Sequence, residues 1–205
     1  MMHNCGFTMD IDHDYSVSVL IPYHKVNELL YRCVNSVIRQ RFKPTEIILI
    51  SDGCPEKIDI LKLDKTEIYL REISLRTNKG PAAARNFGFK SAKGTYISLL
   101  DSDDYWSITK LENQISMLKK LKSQKDLIIV SSVQIVQNNK LLKQRSPLID
   151  YTEVGISKLS KAPYLYLGST AFFARELINK CGLQVEKLRV YEDFEWQIRL
   201  SEEYN

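Results

Sequence analysis

The sequence predicts an α/β fold, a mostly parallel central sheet flanked by helices, with a smaller C-terminal part. Three observations predict it. Strand-like and helix-like segments alternate β-α-β-α-β-α-β-α over residues 16–125, and such alternation builds parallel sheets with helical crossovers. The segments SVSVLIP (16–22) and EIILIS (46–51) are near-continuous apolar runs, as strands buried on both faces are. The chain has 205 residues and is 44% hydrophobic, which suits one domain with a sizeable core.

The elements follow in order. After the strand at 16–22, NELLYRCVNSVIRQ (27–40) predicts a helix with Asn27 as N-cap. Leu30, Val34, Val37 and Ile38 recur there at helical spacing. The strand at 46–51 runs into the loop SDGCP. A short helix near 56–63 and a strand at 67–73 come next. GPAAARNFGFKSA (80–92) predicts a helix with Pro81 in its first turn. TYISLL (95–100) is a further strand. SITKLENQISMLKKLK (107–122) predicts a helix with one face marked by Ile108, Leu111, Ile115, Leu118 and Lys122. DLIIVSSVQIV (126–136) and KLLKQ (140–144) flank Asn138-Asn139, a hairpin signal. Residues 145–170 read as irregular. YLGSTAFFARELINKCG (166–182) reads as strand or loop into a short helix closed by Gly182, and YEDFEW opens a last helix. Residues 1–15 form a polar lead-in, and 16–205 one domain.

Composition excludes several classes. The net charge of +4, from 29 basic and 25 acidic residues, is too mild for a dedicated nucleic-acid binder. The densest basic stretch, KKLKSQK (119–125), reads as a solvated helix end or as a membrane or partner contact. The four cysteines show no metal-ligand spacing, so a reducing compartment is expected. His3, His13 and His24 show no metal-binding pattern. No apolar run approaches the roughly 18 residues a membrane span requires, and the N-terminus lacks signal-peptide features. Neither G-x-G-x-x-G nor G-x-x-x-x-G-K-[ST] is present, which disfavours the usual dinucleotide and P-loop sites.

Ligands of open parallel sheets bind at the carboxyl ends of the strands. Here Pro22-Tyr23, Asp52, and Asp101 with Asp103 end three separate strands. The DSDD run can hold Mg²⁺ or Mn²⁺ through one or two carboxylates. It also reads as a solvated turn, with Asp104 or Ser107 capping the next helix. Asp52 can accept from a nucleobase N–H while Tyr23 stacks on the ring, or Asp52-Gly53 simply turns. Lys79 and Arg85 bracket a helix start that suits phosphate, or Arg85 is merely solvated. Glu192 and Asp193 oppose a helix dipole, or supply a general base.

The ordered series VSVLIPYHK, EIILISDGC, NKGPAAARNFG, YISLLDSDDYW, KLENQ, GSTAFFARE and YEDFEWQIRL resembles the family 2 glycosyltransferases, over roughly 16–204. The resemblance implies the GT-A fold and inverting transfer of a sugar from a nucleotide-diphosphate donor, with a UDP-sugar expected. Residues 16–125 would be the nucleotide-sugar half and 126–205 the acceptor and catalytic-base half. By resemblance Asp52 reads the base beside Pro22-Tyr23, and Arg85 lies near the diphosphate. Asp103 binds the metal directly, with Asp101 as ribose contact and second metal-site acid. Asp193 is the catalytic base and Glu192 its support. The implied cofactor is Mn²⁺ or Mg²⁺. The implied acceptor is a glycan or lipid-linked hydroxyl in bacterial surface polysaccharide or lipopolysaccharide synthesis. Location would be cytoplasmic, with peripheral inner-membrane contact.

The sequence departs from the family pattern at Ser51, where an acid is usual, between Pro22 and Tyr23, where one residue is missing, and at Ile108, where proline is common. Family members also usually continue beyond the E-D helix. Two other readings stand beside this one. A nucleotidyltransferase would need a glycine- and basic-rich loop after the first strand, which IPYHKVNE lacks. A non-catalytic sugar-nucleotide-binding or partner module would not need Asp101, Asp103 and Asp193 together.

Overall fold

A computed structural model describes residues 15–121, 127–137, 140–145 and 167–202. The main sheet has six strands: β1 (Val17–Tyr23), β2 (Glu46–Asp52), β3 (Tyr69–Leu75), β4 (Tyr96–Leu99), β5 (Ile128–Ile129) and β8 (Phe172–Ala174). Their spatial order is β3-β2-β1-β4-β8-β5. β1 pairs parallel with β2 and β4, and β2 pairs parallel with β3, whereas β8 runs antiparallel to both β4 and β5. The chain steps outward from β1 to β3, then returns to the other side of β1 as β4. That reversal opens a crevice at the carboxyl ends of β1 and β4.

Alternation along the strands makes two core layers. Val19, Ile21, Ile47 and Leu49 point to one face, toward α1 (Glu28–Ile38) and α3 (Lys110–Lys120). Leu20, Ile48 and Ile50 point to the other, toward α2 (Pro81–Ser91) and α6 (Glu192–Glu202). Asn27 caps α1 as expected, its side chain accepting from Leu30 N at 3.1 Å. Gly182 closes α5 (Glu176–Cys181) at φ 72°, where a side chain would be strained. Trp196 of α6 is fully buried, stacks 5.8 Å from Phe89, meets Phe173 at 5.3 Å, and donates Nε1 to the Gly182 carbonyl at 3.0 Å. This anchor fixes where the first turn of α6 meets the sheet.

Three expectations are corrected. The short helix near 56–63 is only a 3-10 turn at Ile60–Lys62; Ile60 and Leu61 are 63% and 90% exposed, so it has no apolar face to bury. α3 begins at Lys110, not 107; Ile108 is 52% exposed and lies outside the buried face formed by Leu111, Ile115 and Leu118. The apolar run 126–136 is not one strand. It breaks at Ser131-Ser132 into β5, which joins the main sheet, and β6 (Val133–Gln137), which pairs with β7 (Lys140–Arg145) in a separate antiparallel hairpin. The region 166–182 resolves into α4 (Leu167–Thr170), β8 and α5. The lead-in before Tyr15, the Asn138-Asn139 turn, most of the irregular stretch 145–170 and the basic run beyond Leu121 lie outside the described residues. Cys33, Cys54 and Cys181 are free thiols.

Candidate active site

The acid expected to read the base comes first. Asp52 ends β2 at 5% exposure. Its Oδ1 accepts Lys79 N at 2.7 Å and its Oδ2 accepts Gly80 N at 2.8 Å. The carboxylate thus clamps the loop entering α2, and Lys79 contributes its backbone while its side chain is exposed. Pro22 is half-buried at the end of β1. Tyr23 does not offer a stacking face. It is 2% exposed inside the α1-side core, because the alternation of β1 turns it inward. Burial pushes its hydroxyl pKa up.

The acidic run after β4 is held by surrounding groups rather than left in mutual repulsion. Asp101 Oδ1 accepts Arg85 Nη2 at 2.7 Å, and Asp101 N donates to Ser169 Oγ at 3.1 Å. Ser169 Oγ in turn donates to Asp104 Oδ2 at 2.5 Å. This replaces the expected helix cap: α3 starts after Thr109, without a side-chain cap. Partial burial raises the Asp104 pKa, Ser169 opposes the rise, and the Asp101 and Asp103 charges add to it. Asp103 is exposed, and its backbone carbonyl accepts Arg32 Nη2 at 3.0 Å. Trp106 Nε1 donates to the Ser169 carbonyl at 2.9 Å, locking α4 against this loop.

Arg85 is not a solvated cation. Its side chain is 5% exposed; Nη1 donates to Glu192 Oε1 and Nη2 to Asp101 Oδ1, each at 2.7 Å. Burial would lower its pKa, and the two carboxylates more than reverse that. One guanidinium therefore ties the end of β4 to the start of α6, across 107 residues of sequence separation on the Glu192 side. The preceding residue, Tyr191, is held at φ 61°, a conformation that costs a non-glycine residue about 1–3 kcal/mol and gathers at functional sites. Asp193 is 6% exposed, and its Oδ1 accepts the Phe194 N–H at 2.9 Å.

Asp101, Asp104 and Asp193 line one cavity of about 630 Å³, with Trp106, Lys110 and Gly168 among its walls. Gly168 sits close against the bridge: a Cβ would lie 2.3 Å from Asp101 Oδ2 and 2.9 Å from Arg85 Nη2, so these side chains would have to shift. Lys110 is buried, donates Nζ to Ser98 Oγ at 2.7 Å and lies 3.6 Å above the Trp106 ring; burial lowers its pKa well below the usual lysine value. Ser169, Gly168 and Lys110 were given no role from sequence. The only signal for them was their place in the GST and KLENQ segments.

Hard-oxygen donors are present in Asp103 and in the second oxygen of Asp101. Among the described residues no group of three or more His, Cys, Asp or Glu could hold a metal ion. This donor set fits a divalent ion completed by ligand phosphates, and not a closed protein site.

Residues 18–182 match the family model described as glycosyl transferase family 2. The chain belongs to this family. Glu192 and Asp193 lie beyond the matched residues. An uncharacterised glycosyltransferase of Rickettsia typhi is 30% identical over 87% of this chain and 56% of its own length. The Escherichia coli protein WfaP, named as a UDP-Glc:α-D-GlcNAc-diphosphoundecaprenol β-1,3-glucosyltransferase, is 40% identical over 50% of this chain and 41% of itself. The crystal structure of S. aureus TarS 1-349 with UDP superposes at a TM-score of 0.71, with 21% identity, over 92% of this chain and 55% of TarS. That likeness shows the GT-A fold. The chain spans about half or less of the length of these relatives.

Proposed function

We propose that this chain transfers a sugar, with inversion, from a UDP-sugar to a hydroxyl of a lipid-linked glycan, assisted by a divalent cation. The observation that carries the reading is the shared cavity: Asp101 and Asp193 come from distant elements and line one wall system, joined through Arg85 and Glu192. Relatives named for a UDP-Glc donor and a diphosphoundecaprenol-linked acceptor support the donor and acceptor classes.

Asp193 takes the proton from the attacking hydroxyl. Glu192 cannot share that task while its carboxylate holds Arg85, so it positions Asp193 instead. The Phe194 N–H donates to Asp193 Oδ1 at the start of α6. Asp103 and Asp101 would hold Mg²⁺ or Mn²⁺, which when bound neutralises charge on the departing nucleoside diphosphate. Asp52, which holds the Lys79–Gly80 backbone, would lie beside the base.

Asp193→Asn tests the assignment. It should retain UDP affinity and lose transfer, since the step removed is proton acceptance. A variant that transfers sugar at the parent rate would move the base elsewhere.

A further inference from the structure

The loop after β4 carries two aromatic rings with opposite fates. Trp106 is 7% exposed, whereas Tyr105 is 48% exposed and lines the cavity that holds Asp101 and Asp193. Arg32 of α1 covers one face of the Tyr105 ring, its guanidinium carbon 4.5 Å from the centroid, and donates Nη2 to the Asp103 carbonyl at 3.0 Å. A ring held in this way, yet half exposed, is a preorganised flat surface.

The place of the cavity in the sheet says which ligand meets that ring. Among the described residues that line it, none comes from β1, β2 or β3. In the strand order β3-β2-β1-β4-β8-β5 the cavity therefore lies on the β8–β5 side of β4, whereas Asp52 ends β2 on the other side. Its walls there carry neutral polar groups: Asn113, Gln114, Ser131, Ser132 and Gln134. Lys110 is the one basic residue among the described walls, and it is buried against Trp106. Gln114 is 3% exposed. Its Nε2 donates to the carbonyls of Ile129 and Thr170 at 3.2 and 3.0 Å, which fixes the amide's orientation, and its Oε1 has no hydrogen-bond partner. A buried acceptor left unmet is costly, and a ligand hydroxyl is a donor that would meet it. Amides, hydroxyls and one exposed aromatic ring suit a hydroxyl-rich ligand with an apolar C–H face, and not a phosphate.

We propose that Tyr105 is the platform on which a neutral pyranose of the acceptor stacks, with the attacking hydroxyl toward Asp193. This role rests on the sugar-transfer reading and makes Tyr105 a specificity-determining residue, one that selects a sugar ring rather than the anchor that carries it.

Saturation-transfer NMR of the full chain tests it, with methyl pyranosides of glucose, galactose, mannose and N-acetylglucosamine, each with and without UDP and Mn²⁺. At least one pyranoside should receive saturation at its ring C–H protons from the parent. Tyr105→Ala should weaken that pyranoside about tenfold. Tyr105→Phe should bind it like the parent, because the ring face and not the hydroxyl makes the contact, and Arg32→Gln should fall between. UDP titrated with Mn²⁺ should bind Tyr105→Ala as it binds the parent, and the melting temperature checks that each variant folds. A parent that binds no pyranoside, or a Tyr105→Ala variant that binds it like the parent, would overturn the proposal. So would loss of UDP affinity in Tyr105→Ala, which assigns the ring to the nucleotide. Failure with the pyranosides while UDP still binds the parent leaves the transfer reading intact; failure of UDP to bind the parent counts against that reading instead.

Discussion

Replacing Arg85 by Gln should cost stability. The guanidinium is 5% exposed and contacts two carboxylates, Glu192 at 9% exposure and Asp101 at 35%. Removing one partner of a buried pair costs about 3–5 kcal/mol, because a desolvated charge is left behind. Asp101 is over a third exposed, so water compensates it and the cost falls mainly on Glu192. About 3 kcal/mol is therefore expected, near the lower end. For a chain of this size that is a fall in Tm of roughly 6–12 °C. Thermal unfolding followed by circular dichroism measures the Tm gap between parent and Arg85→Gln. Arg85→Lys should be intermediate, since one ammonium cannot span both acids. A gap under about 2 °C would refute the bridge.

Two further outcomes follow from geometry. Gly168→Ala drives a methyl group against Asp101 Oδ2 and Arg85 Nη2; overpacking costs about 1–3 kcal/mol, so metal-dependent UDP affinity should fall about tenfold or more in titration. Unchanged affinity would detach Asp101 from the donor site. Lys110→Met should remove a stretch of pH dependence. The folded Lys110 has a lowered pKa, so below the usual lysine value the unfolded chain binds more protons and parent stability rises with pH until that value is reached. Urea midpoints from pH 6 to pH 10 should show that rise in the parent and less of it in Lys110→Met; equal slopes would contradict the account.

The α/β order was legible because buried parallel strands leave apolar runs such as EIILIS and helices leave capped, periodic ones such as NELLYRCVNSVI. The break at Ser131-Ser132 was not, since apolar residues on both sides disguise a chain leaving one sheet for another. Tyr23 was misread because the period-two alternation of β1 that buries Val19 and Ile21 also turns Tyr23 into the core. Asp52, Asp101 and Asp193 were found as acids at strand ends and a helix start. What they touch was hidden. The Arg85 bridge spans elements that only the sheet order brings together, and Gly168 matters through a close approach that no local spacing reveals.

The central claim is that the acids at the carboxyl ends of β2 and β4 form a metal-assisted site for a nucleoside diphosphate. Calorimetric titration of UDP into the chain, with Mn²⁺ and then with EDTA, tests it most directly, with GDP and dTDP as comparisons. The account predicts UDP binding that requires the metal, is lost in Asp103→Ala, and exceeds binding of the other two nucleotides. Absence of metal-dependent binding by any of the three, in a chain that melts cooperatively, would contradict it.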